Sequence, residues 1–229
     1  EGPAAKALAS YFDVLAEWSH RPRAPLRDLR RALRSWGRQA GKVHWLLGGP
    51  TRRLNPWARA VKRELQVARR LDLAAAYFAP NPAMLRRIDR VGKRGHARIM
   101  TAALSDNTAT IGAARFTYAG LLRKGVRVFE YQPTKLHTKL MVVDDRVHIG
   151  SANFDIRSLY LNMEIMLSVS DAAFAARMTG YFEDELSRCR EWHLADVTGW
   201  STLLLRMRWA ICYFVVAVLD YNITSRLNL

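Results

Sequence analysis

An α/β domain with a central mixed β-sheet flanked by helices is the fold this chain predicts. Three observations carry the prediction. Short apolar runs and helix-length periodic segments follow one another from Arg70 to Val169 in the order strand, helix, strand, helix, strand, strand, strand. Val126-Arg-Val-Phe-Glu-Tyr131 alternates apolar and polar side chains with the two-residue period of a half-buried strand. Two Asn-Pro pairs, Asn55-Pro56 and Asn81-Pro82, put a capping amide and a first-turn proline where helices should begin.

Taken in order, Glu1 to about Trp18 reads as a helix and Arg21–Lys42 as a basic connector with Pro22 and Pro25. His44–Leu47 is a short strand, and Asn55–Arg70 a helix. Arg70 to Pro80 reads as one strand. The next helix starts at Pro82, runs to about Val91 and stops at Gly92. His96–Thr101 is a strand, and Ser105-Asp106-Asn107 follows as a loop in which capping of the next helix comes before ligand contact. That helix spans about Ala109 to Leu122, ending near Gly125. Leu140–Val143 is an apolar run suited to a buried strand. Met163, Ile165, Leu167 and Val169 alternate along another strand, with Glu164 on its opposite face. Asp171–Arg190 is a helix whose apolar stripe is Phe174, Met178, Tyr181 and Phe182. Trp209–Leu219 is uncharged over eleven residues. It falls short of the ~20 residues of a spanning helix, which leaves a buried, half-inserted or interfacial segment. Three regions are expected: 1–45, 46–195 and 196–229.

Formal net charge is +16. An excess of that size points to an anionic partner, either nucleic acid or an anionic bilayer. The arginines concentrate between Arg21 and Arg70. Cys189 and Cys212 form no paired framework, which speaks for a reducing compartment. Nothing resembles a signal peptide near Glu1, and no His, Cys and Asp cluster has metal-ligand spacing, so neither metal nor cofactor is expected. His148 is read as a surface residue or strand filler.

The chemistry concentrates in His137-Thr-Lys139-Leu-Met-Val-Val-Asp144-Asp-Arg-Val-His-Ile-Gly150-Ser151-Ala-Asn153, a pattern H-x-K-x4-D-x5-G-S-x-N. On a strand, His137 and Lys139 would project from the same face. An imidazole and an ammonium side by side suit a phosphodiester: the nitrogen attacks phosphorus and the lysine neutralises its oxygens. The Gly150–Asn153 turn adds a hydroxyl and an amide as further donors.

This pattern resembles the HKD signature of the phospholipase D superfamily. Phe154-Asp-Ile-Arg157-Ser158 and the later Asn162-x-Glu164 resemble its cardiolipin synthase-like branch, as does Tyr77-Phe-Ala-Pro80. The family often has six residues between the aspartate and the glycine. Here there are five, so the aspartate's role falls to Asp144 or is shared with Asp145. The resemblance implies a phospholipase D-like lobe in which His137 is nucleophile or acid. Lys139, Ser151 and Asn153 bind phosphate, Asp144 is catalytic beside His137 and Lys139, and Glu164 orients His137. It also implies a second HKD half, from a missing N-terminal half or a homodimer mate. The opening Glu1–Trp18 resembles the segment that follows a first HKD. The expected substrate is an anionic, phosphatidylglycerol-like phospholipid, at a membrane surface on the cytoplasmic face of a bacterial inner membrane. Two rivals stand beside this reading: a homodimeric HKD nuclease, disfavoured by the flanking motifs, and an inactive half that only binds anionic membranes.

Overall fold

Proline and side-chain caps set the helix starts. The computed structural model describes residues 2–23, 25, 27–31, 41–49 and 54–219. Helix α1 (Pro3–His20) has proline in its first turn. Asn55, Asn81 and Asn107 each accept a first-turn backbone N–H, opening α2 (Pro56–Val67), α3 (Pro82–Arg94) and α4 (Thr108–Leu122). Asp155 and Asp171 do the same for α5 (Ile156–Tyr160) and α6 (Ala172–Leu186). Helices α7 (Leu194–Thr198) and α8 (Leu203–Phe214) come next, near the end of the described residues.

The strands are β1 (Val43–Leu47), β2 (Arg70–Ala75), β3 (Phe78–Ala79), β4 (His96–Ala102), β5 (Arg127–Tyr131), β6 (Lys139–Val143), β7 (Arg146–Gly150), β8 (Phe154–Asp155), β9 (Ile165–Ser170) and β10 (Cys189–Trp192). Eight form one sheet in the order β1-β9-β7-β6-β2-β4-β5-β10. β2, β4 and β5 run parallel and every other neighbour is antiparallel, so the sheet is mixed as predicted. β3 and β8 pair separately, with Phe78 stacked on Phe154 at 5.9 Å.

Helices cover both faces. On one, Trp57, Val61, Leu65, Ile88 and Tyr118 from α2, α3 and α4 pack over Leu71, Leu73, Ile99, Met141 and Val143. On the other, Ala175 and Phe182 of α6 meet Ala74, Met100, Leu140, Val142 and Val147. Asp72 is fully buried on this second face and is neutralised by Arg98 at 2.6 Å, which also reaches Glu183 of α6. Removing Arg98 would leave Asp72 only the more exposed Arg70 at 3.2 Å, and removing Asp72 would leave Arg98 only Glu183. Tyr11 of α1 packs with Leu29, Leu47 and Ile165 at the β1 edge.

The structure corrects several boundaries. β1 belongs to the sheet, so the expected division at residue 45 falls inside a strand. Part of the connector predicted over Arg21–Lys42, residues 32–40, lies outside the described residues. The predicted Arg70–Pro80 strand breaks at Ala76-Tyr77 into β2 and β3. The predicted Asp171–Arg190 helix stops at Leu186, and β10 then pairs with β5, where Arg127 meets Glu191 at 2.8 Å. Tyr181 is exposed, so the core stripe of α6 is narrower than its sequence. His148 is not at the surface. It is fully buried, its Nε2 lies 2.6 Å from Glu64 Oε2, and its ring meets Trp57 edge-on. It ties β7 to α2.

The tail is helical without interruption from Trp200 to Leu219, through a 3-10 turn, α8 and a closing π-turn. Twenty residues span ~30 Å. Among the described residues it is the one helix long and apolar enough to cross a membrane. Spanning would bring Arg206 and Arg208 near mid-bilayer, at about 2.5–3.5 kcal/mol each on insertion scales. Instead α8 packs on α4: Trp209 is buried, Cys212 lies on Gly112, and Tyr213 Oη donates to Pro80 O at 2.7 Å.

Gly92 supplies a test of sign. It sits inside α3, and a Cβ there would come 2.7 Å from Val126 Cγ2 and 2.8 Å from Lys124 O. Helix propensity alone would make Gly92→Ala stabilising by about 1 kcal/mol. The collision reverses this, because one obstacle is backbone. Urea denaturation should show Gly92→Ala destabilised by about 1–3 kcal/mol. A more stable variant would mean that the α3–Val126 contact is looser than described.

Candidate active site

The site forms where the ends of β2 and β7 meet the starts of β6 and β9. Ala75 pairs with Lys139, Leu140 with Ile149, and Gly150 with Met166. Ligands of open α/β sheets gather at such carboxyl ends of parallel strands.

His137 lies just before β6 rather than in it, and Lys139 is the strand's first residue. The ammonium donates to the His137 carbonyl at 2.9 Å and approaches the ring Nδ1 at 3.3 Å. The structure therefore brings the two together at the entry to β6. The imidazole is exposed, whereas Lys139 is only 7% exposed. Burial pulls the Lys139 pKa below its ordinary value, and the nearby carboxylates of Glu164 and Asp155 pull it partly back.

Two glycines let the backbones close around the start of β9. A Cβ at Gly150 would lie 2.1 Å from Ile165 O, and one at Gly48 2.8 Å from Glu164 Cβ. Ser151 is clamped in that space. Its amide donates to Ile165 O at 3.0 Å, its hydroxyl donates to Glu164 Oε2, and the hydroxyl accepts Ile165 N–H at 3.0 Å. Asn162 Nδ2 donates to the other Glu164 oxygen at 3.3 Å. Among the described residues Glu164 thus bonds Ser151 and Asn162, not His137 as the resemblance implied. Its charge still acts on Lys139.

Asn153 Oδ1 accepts the Tyr77 N–H at 3.2 Å, and Phe154 N–H donates to Tyr77 O at 3.1 Å. Holding the amide by its oxygen turns the NH₂ into the group available to an anion. Sequence reasoning missed Tyr77 and Asp155 as supports. The signal for Tyr77 was the break in its apolar run, which the strand reading passed over. Asp155 is buried, its carboxyl pushed up by burial and held by the Ser158 N–H.

Asp144 is not brought to the cluster. It sits at the opposite end of β6, in the turn to β7, ~15 Å away at 3.3 Å per strand residue. Its φ is +48°, and its carboxylate accepts the Arg69 and Arg70 amides at 3.1 and 2.9 Å. The spacing x4 sets a strand's length, and the aspartate pins the entry to β2. Asp145 shares that turn. Asn107 caps α4, and exposed Asp106 pairs with Lys135. Among the described residues no group of three His, Cys, Asp or Glu side chains is placed to hold a metal ion.

These assignments predict opposite stabilities. Asp144→Ala loses two acceptor contacts and leaves alanine in the left-handed region, so urea denaturation should show a loss of about 1–3 kcal/mol. Asp144→Asn, which keeps an acceptor and tolerates that conformation, should lose less. Lys139→Met should be more stable than the parent at neutral pH. The folded chain holds the Lys139 pKa below 10.5, so it sheds that proton at lower pH than the unfolded chain does. Parent stability therefore rises as pH climbs from the depressed value toward 10.5, and the Met variant's advantage should shrink over that window. A Met variant less stable than the parent at pH 7 would contradict the buried ammonium.

Comparison with known proteins agrees with this fold. Residues 61–186 match the family described as cardiolipin synthase, PLD-like domain. Cardiolipin synthase A of Pseudomonas putida is 37% identical over 125 residues, 54% of this chain and 26% of that protein. The Cronobacter sakazakii protein of the same name is 31% identical over 161 residues, 69% of this chain and 32% of that protein. The chain thus spans about a quarter to a third of these relatives. Among solved structures, the phospholipase D family member Nuc of Salmonella typhimurium superposes with a TM-score of 0.54 at 18% identity, over 66% of this chain and 99% of that one. Phosphatidylserine synthase of Haemophilus influenzae superposes with 0.59 at 13% identity, over 81% of this chain and 46% of that one. With more than half its length inside the matched family, this chain belongs to the cardiolipin synthase, phospholipase D-like domain family.

Proposed function

We propose that this lobe is one catalytic half of a cardiolipin synthase-like phosphatidyltransferase or phospholipase D, acting through a phosphohistidine. One observation carries the reading: an exposed imidazole beside a buried ammonium on which the Glu164 charge acts. His137 attacks the phosphodiester phosphorus, forming an N–P bond as the P–O bond to the leaving alcohol breaks. The departing oxygen takes a proton from the second half's histidine. An acceptor hydroxyl, from the glycerol of a phosphatidylglycerol or from water, then returns a proton to that histidine. It attacks phosphorus and frees His137. His137 and its twin can exchange these roles. An unperturbed imidazole pKa of ~6.5 suits both.

Lys139 and the Asn153 NH₂ hold the phosphate oxygens, and Ser151 supports them. Glu164 sustains the Lys139 charge and positions Ser151, and its reach to His137 is part of the proposal. Asp144 contributes by pinning β6. The exposed His137 supports completion of the site by a second HKD half, from an N-terminal half or a homodimer mate. The proposed location is the cytoplasmic face of a bacterial inner membrane. A net charge of +16 favours one second reading, a homodimeric phosphodiesterase on nucleic acid.

The test is turnover of phosphatidylglycerol by this chain alone and joined to a lobe carrying a second H-x-K. The joined enzyme should turn over and the monomeric chain should not. Full turnover by a demonstrated monomer would end the two-half reading. In the joined enzyme His137→Ala should cost on the order of 10⁶, by analogy with a lost nucleophile. Lys139→Ala and Asn153→Ala should each cost ~10²–10³, as for a single oxyanion donor. Cleavage of short duplex DNA in preference to lipid would move the nucleic-acid reading ahead.

A further inference from the structure

Half of the exposed large apolar residues among those described lie in the Trp200–Leu219 helix. Trp200 is 92% exposed, Leu204 79% and Ile211 64%, with Met207 and Phe214 also exposed. These five recur every third or fourth position, so they form one stripe along the helix. The opposite side is packed on α4 through Trp209, Cys212 and Tyr213. Among the described residues nothing covers the stripe.

Charge frames it. At 100° per residue, Arg206 and Arg208 project to either side of the stripe, and both are exposed. Arg206 shares a groove between α4 and α8 with Arg123, Phe116, Leu203 and Met207. An apolar stripe with guanidinium borders matches a bilayer surface. Acyl chains take the stripe, and phosphates take arginines that snorkel outward. Nucleic acid would satisfy the borders and leave the stripe in water. A protein groove would satisfy the stripe but has no stated use for cations on both flanks.

We propose that this face is a bilayer-docking surface, lying in the plane of an anionic leaflet rather than crossing it. The packed side forbids encirclement by lipid. The docked helix also reaches the site: Tyr213 Oη bonds Pro80 O, and Pro80 closes the segment whose Tyr77 N–H holds Asn153. The docking helix is therefore tied to the segment that holds Asn153. The surface goes beyond the catalytic reading and is tested without turnover.

The full chain is mixed with vesicles of phosphatidylcholine, with and without phosphatidylglycerol. Cosedimentation should be stronger with phosphatidylglycerol, most of all at low salt, and part of it should persist at raised salt. The triple variant Leu204→Glu, Met207→Glu, Ile211→Glu should lose that binding while its circular dichroism and melting stay as in the parent. Arg206→Gln and Arg208→Gln should each weaken binding about fivefold at low salt, the factor expected for one basic residue near an anionic leaflet. Brominated lipids then report depth. A tryptophan placed near the middle of the helix by Ile211→Trp, its signal taken as the difference from the parent, should be quenched more by shallow than by deep bromines. Stronger deep quenching would mean a spanning helix and overturn the proposal. So would parental binding by the triple variant, or a stable protein complex that only the triple variant loses while vesicles bind neither. If the triple variant misfolds, the arginine variants and the depth measurement on Ile211→Trp still decide.

Discussion

The structure is organised around one costly placement, an ammonium buried at the start of β6. Lys139 is almost excluded from water yet has no carboxylate in direct contact among the described residues. Its partners are the His137 carbonyl and ring, with Glu164 and Asp155 acting through space. A lysine serving stability alone would find a direct acid or reach solvent. This arrangement keeps a positive charge under-compensated, which an arriving phosphate would complete. The same burial that weakens the fold there strengthens attraction for an anion.

Holding that charge needs rigid surroundings, which several elements supply. The β2–β6 pairing sets alanine opposite Lys139 and so leaves room for its chain. Gly48 and Gly150 admit the β9 backbone closely enough for Ser151 to be bonded through both its amide and its hydroxyl. The β3–β8 ribbon fixes Asn153 to Tyr77. Each support comes from a different part of the chain. At the far end of β6, Asp144 ties the turn to β2, so the strand that carries Lys139 is secured at both ends.

The buried polar groups on the two sheet faces follow the same logic of satisfaction at a distance from the site. Burial raises the cost of the Glu64 carboxylate, but His148 and Arg146 outweigh it and hold its pKa below the ordinary value. Arg115 meets Glu130 through two contacts of 2.8 Å, with Tyr118 bonded to the same carboxylate. These groups lock helices to strands. α8 is the exception in character, since it closes its inner side on α4 and leaves an outer apolar side to water.

Local signals determined much of this protein on their own. Asn55, Asn81 and Asp171 announced their helices, because a cap needs only neighbours in sequence. The alternation of Val126–Tyr131 announced β5. His137 and Lys139 were legible as a pair because chemistry requires both types close together, and close spacing guarantees proximity. What depended on distant chain was not legible. Gly92 reads as a stop until Val126 is seen against it. Asp144 reads as catalytic because the motif names it, yet five strand residues carry it away from His137. Glu164 was placed at the site by its motif, but its bonds to Ser151 and Asn162 depend on how closely β7 and β1 approach β9. Whether the tail is core or surface turned on a single tertiary contact, α8 against α4. Sequence periodicity marks an apolar stripe and cannot say what lies on it, and only the packing of the remaining helices decides which side is left open.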